Sequence, residues 1–484
     1  MSVICPPAPE PNAAGLVAPA EIDRSCRWPV LLLFLLAVSW LVIASGLTLV
    51  ASLKLHAPRL LADSAWLTYG RLQPAAANAL LYGFAVPAGL GLALWLSTRL
   101  GGVPLRLPGL AFGGALVWNV GLKLGLLGIL LGDSTGFEWL EMPRYAAPIL
   151  FAGYALIGVS ALMTFKDRRE RQLYVSQWFL LVAVFWFPWI FSTAHLLVSF
   201  MPLRGIMPAV VAWWYAGNLT VLWLGFVGLA AVFYLLPKLL GGPLFSRYHA
   251  LFAFWVLALF GGWTGIPQSA PLPAWMPAVS TIANLFVLLA AVAVLLNVRR
   301  TLMALPIPRS HFPLSLVIFS MVAYGIANLF SAAAAIPSVA AITDFTLFTP
   351  ARTQLFVYGF FGLAMFAGMY HTLPRLLGFS LPSVKLIKLH AVCAPTGLVI
   401  SVAALALGGV LQGQALNHPE SAFLDSLRPG LMALRLSTLG DTLLLVGHVA
   451  LFLNLAGAVF GWCRAVWPPV FAAALRAEAP RAAR

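Results

Sequence analysis

The stretch WWYAGNLTVLWLGFVGLAAVFYLLPKL, Trp213–Leu239, decides the fold class of this 484-residue chain. It is mainly apolar and carries no charged side chain before Lys238. Runs of about 20 such residues are long enough to cross the hydrocarbon core of a bilayer. A helix satisfies its own backbone hydrogen bonds in lipid, so the stretch predicts a transmembrane helix.

The rest of the chain repeats this pattern. Hydrophobic residues make up 61% of the sequence and charged residues only 9%, a composition that soluble domains rarely show. About twelve apolar runs are present, near residues 28–53, 75–99, 107–132, 146–166, 175–200, 208–236, 248–266, 275–297, 313–337, 353–375, 386–410 and 440–464. We predict an all-α integral membrane protein with one domain of about twelve transmembrane helices at 28–466, flanked by short tails at 1–27 and 467–484.

The net charge of +15 follows the predicted topology. The two termini and the even-numbered loops carry 20 Lys and Arg, and the odd-numbered loops carry 8. The positive-inside rule therefore places both tails in the cytoplasm. We accordingly expect the lipid bilayer, and not a nucleic acid, to be the partner of the basic residues.

Acidic residues favour the predicted outer side. We expect them to form a solvated outer face, with a docking surface for a partner protein as the alternative; they are Asp63, Asp133, Glu138, Glu141, Asp344, Glu420, Asp425 and Asp441. The four cysteines form no CxxC pair and imply neither a disulfide framework nor a zinc site.

Ionisable residues inside predicted spans are candidate functional groups. Of eight histidines, only His195 and His448 lie well inside spans, so they are candidate haem ligands; hydrogen-bonded structural histidines are the alternative. Lys123 lies within the third span and needs a partner or a water-filled pocket, unless its role is structural.

Four stretches, in order, resemble subunit I of the C-family haem-copper oxidases, the cbb(3)-type cytochrome c oxidases. They are Trp66–Phe84, WLTYGRLQPAAANALLYGF; Trp213–Leu239, quoted above; Phe254–Gln268, FWVLALFGGWTGIPQ; and Ala351–Gly378, ARTQLFVYGFFGLAMFAGMYHTLPRLLG. They resemble the second, sixth, seventh and tenth helices of the family. The resemblance covers most of the chain, from about residue 66 to 410.

The resemblance also implies where two haems and one copper ion would be held. The family's haem-ligand histidines are replaced here by Ala76, Arg352 and Gln354, and its copper-ligand histidines by Gly217, Pro267 and Gln268. The family's cross-linked tyrosine corresponds to Gly261. Ala, Gly and Pro have no side-chain ligand atom, an amide is a poor ligand beside imidazole, and Arg offers only donors. We therefore expect no cofactor at these positions.

Three functions are compatible with this pattern. The first is a metal-free, non-catalytic platform subunit of a respiratory or electron-transfer complex in the bacterial inner membrane, which docks a membrane-anchored c-type cytochrome or another redox subunit. The second is a transporter or channel that reuses the emptied cavities, with Lys123, Arg352 and Gln354 as residues to test. The third is an active terminal oxidase, from cytochrome c to oxygen, with unexpected haem ligands. The sequence thus leaves enzymatic activity open.

Overall fold

The computed structural model describes residues 18–201, 203–306, 312–420 and 422–478. Residues 1–17 of the predicted N-terminal tail and 479–484 of the C-terminal tail lie outside the described residues. The described chain is helical, and each label below covers one continuous helix with any π-helical stretch inside it. The long helices are α1 (Pro19–His56), α2 (Tyr69–Gly101), α3 (Pro108–Leu131), α4 (Ala146–Lys166), α5 (Val175–Phe200), α6 (Met207–Leu240), α7 (Arg247–Phe260), α8 (Trp275–Ala304), α9 (Phe312–Ala334), α10 (Phe348–Leu377), α11 (Val384–Leu416) and α12 (Leu431–Glu478). Two short helices, Pro337–Thr343 and Phe423–Leu427, lie in the loops before α10 and α12.

Eleven helices of the described chain are long and apolar enough to cross a membrane. This confirms the predicted fold class. The seventh predicted span, 248–266, is shorter than expected, because α7 contains 14 residues and ends at Phe260. At about 1.5 Å per residue, α7 falls well short of the ~30 Å hydrocarbon core. A 3₁₀ turn, Gly261–Trp263, and irregular chain follow it.

Three helices form the centre of the bundle. Within the most apolar stretches of α2, α6 and α10, 94%, 89% and 100% of the residues are buried, whereas the other apolar helices reach only 39–50%. A helix that is apolar on all sides is typical of such a central position. The three helices converge at Gly89 of α2, where an added Cβ atom would lie 3.1 Å from Trp223 of α6 and 3.2 Å from Phe361 of α10.

Each central helix contains a π-helical stretch near one end. These stretches are Ala79–Ala85 in α2, Asn218–Leu224 in α6 and Leu355–Gly362 in α10. π-Helical stretches are rare, and they occur frequently at functional sites. Ala76 lies three residues before the first stretch, and Gly217 and Gln354 directly precede the other two. The irregular backbone therefore lies beside positions that the sequence singled out.

Candidate functional site: a polar cavity and a closed metal position

A cavity of about 240 Å³ lies between α1, α2, α10, α11, α12 and the loop that joins α3 to α4. Ala76 and Gln354, two of the positions that the resemblance assigns to haem ligands, both line it. Two of the positions singled out by the sequence thus lie at one cavity, although they are far apart in the chain. The polar residues that line the cavity are Ser45, Thr48, Ser52, Tyr69, Gln73, Glu138, Thr353, Gln354, Tyr358, Ser437, Asp441 and His448.

Asp441 is buried in the wall of this cavity, with 7% of its surface exposed. Its carboxylate interacts with the neutral side chains of Ser52, Ser401 and Gln354. Ser401 Oγ lies 3.3 Å from Asp441 Oδ1 and 3.1 Å from Gln354 Oε1. One hydroxyl proton therefore serves two acceptors, which leaves hydrogen-bonding capacity at the cavity wall.

His448 also lines the cavity, and both of its ring nitrogens have partners. Nδ1 lies 2.5 Å from Ser45 Oγ, and Nε2 lies 2.5 Å from the Tyr358 hydroxyl. One of these nitrogens must donate and the other accept when the ring is neutral. The nitrogen lone pair of His448 that could coordinate a haem iron therefore already accepts a hydrogen bond from within the protein.

His195 lies in different surroundings. Its Nδ1 is 3.0 Å from the Phe191 carbonyl oxygen, and Nε2 has no hydrogen-bond partner among the described residues. The imidazole packs against the rings of Phe191 and Tyr215, with centroids 4.1 and 6.4 Å away. The ring neighbours of His448 are instead Tyr358, Phe366 and His390. The structure thus does not bring the two candidate haem ligands to a common site.

The backbone fills the space beside Gly217, a position that the resemblance assigns to a copper ligand. A Cβ atom on Gly217 would lie 2.4 Å from Thr264 O and 3.0 Å from Gly265 Cα. Gly265 has φ +106°, a conformation that side chains rarely adopt, and its own Cβ would meet Trp213 O at 2.4 Å. The chain after α7 therefore contacts α6 where an imidazole would otherwise begin.

The other copper-related positions also face protein. Gln268 Nε2 donates to the Pro277 carbonyl oxygen at 2.7 Å and to Thr281 Oγ1, so its amide is held against α8. Pro267 is half-buried in the same irregular chain. A Cβ atom on Gly261 would lie 2.7 Å from Leu222 Cδ2. The residues at these positions do not fit a copper ion bound by imidazoles.

Arg352 occupies the third position that the resemblance assigns to a haem ligand, and its guanidinium places a positive charge there. Glu138 and Asp344 are its electrostatic partners. Arg352 and Glu138 thus form an electrostatic pair of opposite charge. Asp344 also accepts a hydrogen bond from the Ser269 backbone at 3.1 Å. A guanidinium repels a metal cation, so these residues do not fit haem iron either.

Two carboxylates are buried, against the expectation of a solvated outer face. Glu141 is 6% exposed and Asp441 is 7% exposed. Asn78 Nδ2 donates to Glu141 Oε2 at 2.8 Å, and burial raises the pKa of the Glu141 carboxyl to about 7. The expectation is wrong for Asp441 because α12 begins at Leu431, so this residue lies well inside a helix.

Lys123 was expected to be buried within the bundle, but it is exposed. Its side chain is exposed on the outward face of α3, together with Val120, Leu124 and Leu127. Within the described parts of the chain it has no hydrogen bond or ion pair. The expectation of a buried lysine with a partner or a pocket is therefore wrong. The helix turns this face away from the bundle because α3 packs against α4 through its small residues, including Gly121.

Residues 18–201, 203–306, 312–420 and 422–478 contain no group of three or more His, Cys, Asp or Glu side chains that could hold a metal ion. Sequence reasoning also missed Ser45, Tyr358 and Ser401, which hydrogen-bond to the cavity residues. Hydroxyl side chains are frequent in membrane helices. Only the tertiary structure identifies the ones that face the cavity.

Comparison with known proteins identifies the family of the chain. The sequence model of the family described as "Cytochrome C and Quinol oxidase polypeptide I" matches residues 29–443. The Cbb3-type cytochrome c oxidase subunit CcoN1 of Stutzerimonas stutzeri is 24% identical over 441 residues, covering 87% of this chain and 92% of the relative. Cytochrome c oxidase subunit 1 of Rhodobacter capsulatus is 24% identical over 415 residues, covering 81% of this chain and 77% of the relative.

A solved structure shows the same fold. The cryo-EM structure of a heme-copper terminal oxidase dimer superposes with a TM-score of 0.70 at 16% identity, over 89% of this chain and 83% of that chain. The fold is thus that of subunit I of the haem-copper oxidases. The chain belongs to the cytochrome c and quinol oxidase polypeptide I family, and it is a multi-pass protein of the bacterial inner membrane. The resemblance to cbb(3)-type subunit I is confirmed.

Proposed function

We propose that this protein is a metal-free, non-catalytic platform subunit of a membrane electron-transfer complex. The observation that carries the proposal is the contact between Gly217 and the backbone at Thr264, which leaves no space for a side chain at a copper-ligand position. Oxygen reduction in this family is expected to need both haem and copper. A chain whose own backbone occupies the copper-ligand position retains the fold of the family but cannot reduce oxygen by the family's reaction.

The cavity supports the same conclusion for haem. Ala76 and Gln354 supply no imidazole, and both nitrogens of His448 have partners. The volume of about 240 Å³ also lies below the range of roughly 300–1,000 Å³ that is usual for sites of drug-sized ligands.

The platform role is supported by what the chain retains. The central helices α2, α6 and α10 are buried along most of their apolar stretches, although the ligands are replaced. The relatives are named as subunits of cytochrome c oxidases. The partner we propose is a membrane-anchored c-type cytochrome or another redox subunit on the predicted outer face.

The test is a purification of the tagged chain from its native membranes. The chain is separated from its partners, and b-type haem and copper are measured by a reduced-minus-oxidised spectrum, a pyridine haemochrome assay and metal analysis. We expect neither cofactor on this chain, and a c-type haem on a co-purifying subunit after haem staining. An active cbb(3)-type oxidase, treated identically, is the positive control. Stoichiometric b haem on the chain, or a complex without any redox subunit, contradicts the proposal.

A transporter is the second candidate, and the polar cavity is the observation that favours it. Gln354 lines the cavity, whereas Lys123 lies on the exposed face of α3 and is not part of any path through it. Uptake of a solute into liposomes that contain the chain alone would support transport. The platform proposal instead expects the liposomes to stay impermeable.

The third candidate is an oxidase with unexpected ligands. It requires haem on His195 or His448, which the structure places in separate surroundings. If the purified chain holds b-type haem, the His195→Phe and His448→Phe variants identify its ligand. An unchanged haem signal in both variants rejects this candidate.

A further inference from the structure

We propose that the cavity between α1, α2, α10, α11 and α12 binds a small organic cation, whose ammonium group contacts Asp441. We call it the Asp441 cavity. The inference rests on the absence of haem from this space, which is part of the proposed function. It goes further, because a platform subunit needs no ligand of its own at this position.

The first argument is charge. Two carboxylates belong to the described lining of the cavity, which contains no Lys or Arg. Glu138 has the cation Arg352 as an electrostatic partner, whereas Asp441 interacts only with neutral side chains. Asp441 takes part in none of the ion pairs found within the described residues. A buried carboxylate inside a membrane protein is costly unless a cation or hydrogen-bond donors offset its charge. The donors present, Ser52, Ser401 and Gln354, are neutral.

The second argument is hydrogen bonding. Ser401 has one hydroxyl proton for two acceptors, Asp441 Oδ1 at 3.3 Å and Gln354 Oε1 at 3.1 Å. His448 adds no donor, because its nitrogens are engaged by Ser45 and Tyr358. An ammonium group carries up to three donors and no acceptor. It could therefore donate to both Asp441 Oδ1 and Gln354 Oε1, which share the single Ser401 proton.

The third argument is shape and polarity. Leucine side chains cover much of the remaining wall: Leu55, Leu80, Leu81, Leu347, Leu405, Leu434 and Leu444. Tyr69 and Trp139 also line the cavity, and aromatic rings attract cations. A bare metal ion prefers several oxygen or nitrogen ligands and gains nothing from leucines. An ammonium with a compact apolar body fits both parts of the wall.

Access is available at one end of the bundle. Leu55 and Tyr69, which line the cavity, are 36% and 41% exposed. Glu138 is also exposed, in the loop between α3 and α4. Asp441 is buried behind them. A cation approaching from this end would meet Glu138 first and then reach Asp441.

The test uses the full-length chain in detergent, 2-phenylethylammonium as the probe and uncharged 2-phenylethanol as its neutral counterpart. Titration calorimetry measures both. We expect the ammonium to bind at least about tenfold more tightly than the alcohol, since hydrogen bonds to charged groups are the stronger ones. Asp441→Asn should weaken ammonium binding by roughly tenfold or more. The matched control Asp63→Asn, at an exposed loop acid outside the cavity, should change it less than about twofold.

A second variant keeps the proposal testable if Asp441→Asn does not fold. Ala76 is 2% exposed and lines the cavity, so Ala76→Leu fills part of the space without altering a charge. It should abolish binding of the ammonium. Equal binding of ammonium and alcohol, no saturable binding at all, or unchanged affinity in Ala76→Leu overturns the proposal.

The same sample separates this inference from the proposed function. Its absorption spectrum reports haem before the titration begins. Stoichiometric haem in the chain contradicts both proposals. A haem-free chain that fails to bind the ammonium contradicts only the proposal that the cavity binds an organic cation, and the proposed platform role is unaffected.

Discussion

A Cβ atom on Gly217 would lie 2.4 Å from the carbonyl oxygen of Thr264, so α6 touches the backbone that follows α7. This contact occupies a position that the resemblance assigns to a copper-binding imidazole. The same two segments also meet at Gly265, which requires a positive φ. Glycine at position 217 thus allows α6 to lie directly against the irregular backbone that follows α7.

Gly217→Ala should therefore destabilise the protein by about 1–3 kcal/mol, the usual cost of forcing one additional group into a packed core. Thermal unfolding in detergent measures the effect. Gly113→Ala is the matched control, because this helical glycine of α3 has no heavy atom within 4 Å of an added Cβ. An equally stable Gly217→Ala variant would show that the contact is not closed.

Glu141 should make the stability depend on pH. Burial raises the pKa of its carboxyl to about 7 from 4.5, so the folded state binds a proton more tightly than the unfolded state. Stability is then highest below about pH 4.5, falls as the pH rises towards 7, and stays level above that. The total change is on the order of 3 kcal/mol, at about 1.4 kcal/mol for each pKa unit.

The variant Glu141→Gln removes this dependence while retaining an acceptor for Asn78. Thermal unfolding is measured in steps between pH 4.5 and 8. The variant should show a flatter profile than the unaltered protein, and Asp63→Asn, at an exposed acid, should not. Identical slopes in Glu141→Gln and the unaltered protein would mean that Glu141 is already ionised at low pH.

Tyr358→Phe should cost about 1–3 kcal/mol, because His448 Nε2 loses its partner at 2.5 Å and stays buried. The comparison is Tyr248→Phe, at a tyrosine that is 85% exposed on α7. Thermal unfolding again measures both variants. If Tyr358→Phe is as stable as Tyr248→Phe, the Ser45–His448–Tyr358 chain contributes nothing to stability, and His448 regains its interest as a ligand.

The sequence predicts the bundle well because each long apolar run must be a helix in lipid. It overestimates α7, where Gly261, Gly262 and Pro267 end the helix early. Ala76 and Gln354 line one cavity, and only the resemblance, which carries tertiary information that periodicity lacks, singles out both positions. The burial of Asp441 could not be predicted, since it depends on where α12 begins and on which face it turns to α11.

Lys123 lies within a predicted span, yet its side chain is exposed, and a substitution can test this exposure. Its neighbours on the outward face of α3 are Val120, Leu124 and Leu127, and no partner of its charge lies within the described residues. Lys123→Leu should therefore leave the thermal stability of the purified chain within about 0.5 kcal/mol, as is usual for surface substitutions. Removing the charge should also raise the yield of membrane-inserted protein, since a lysine near the middle of a span costs about 2.5–3.5 kcal/mol on insertion scales. Lys238→Leu, near the C-terminal end of α6, is the control and should change insertion less. A stability loss of several kcal/mol in Lys123→Leu would instead show that this lysine has a partner within the chain.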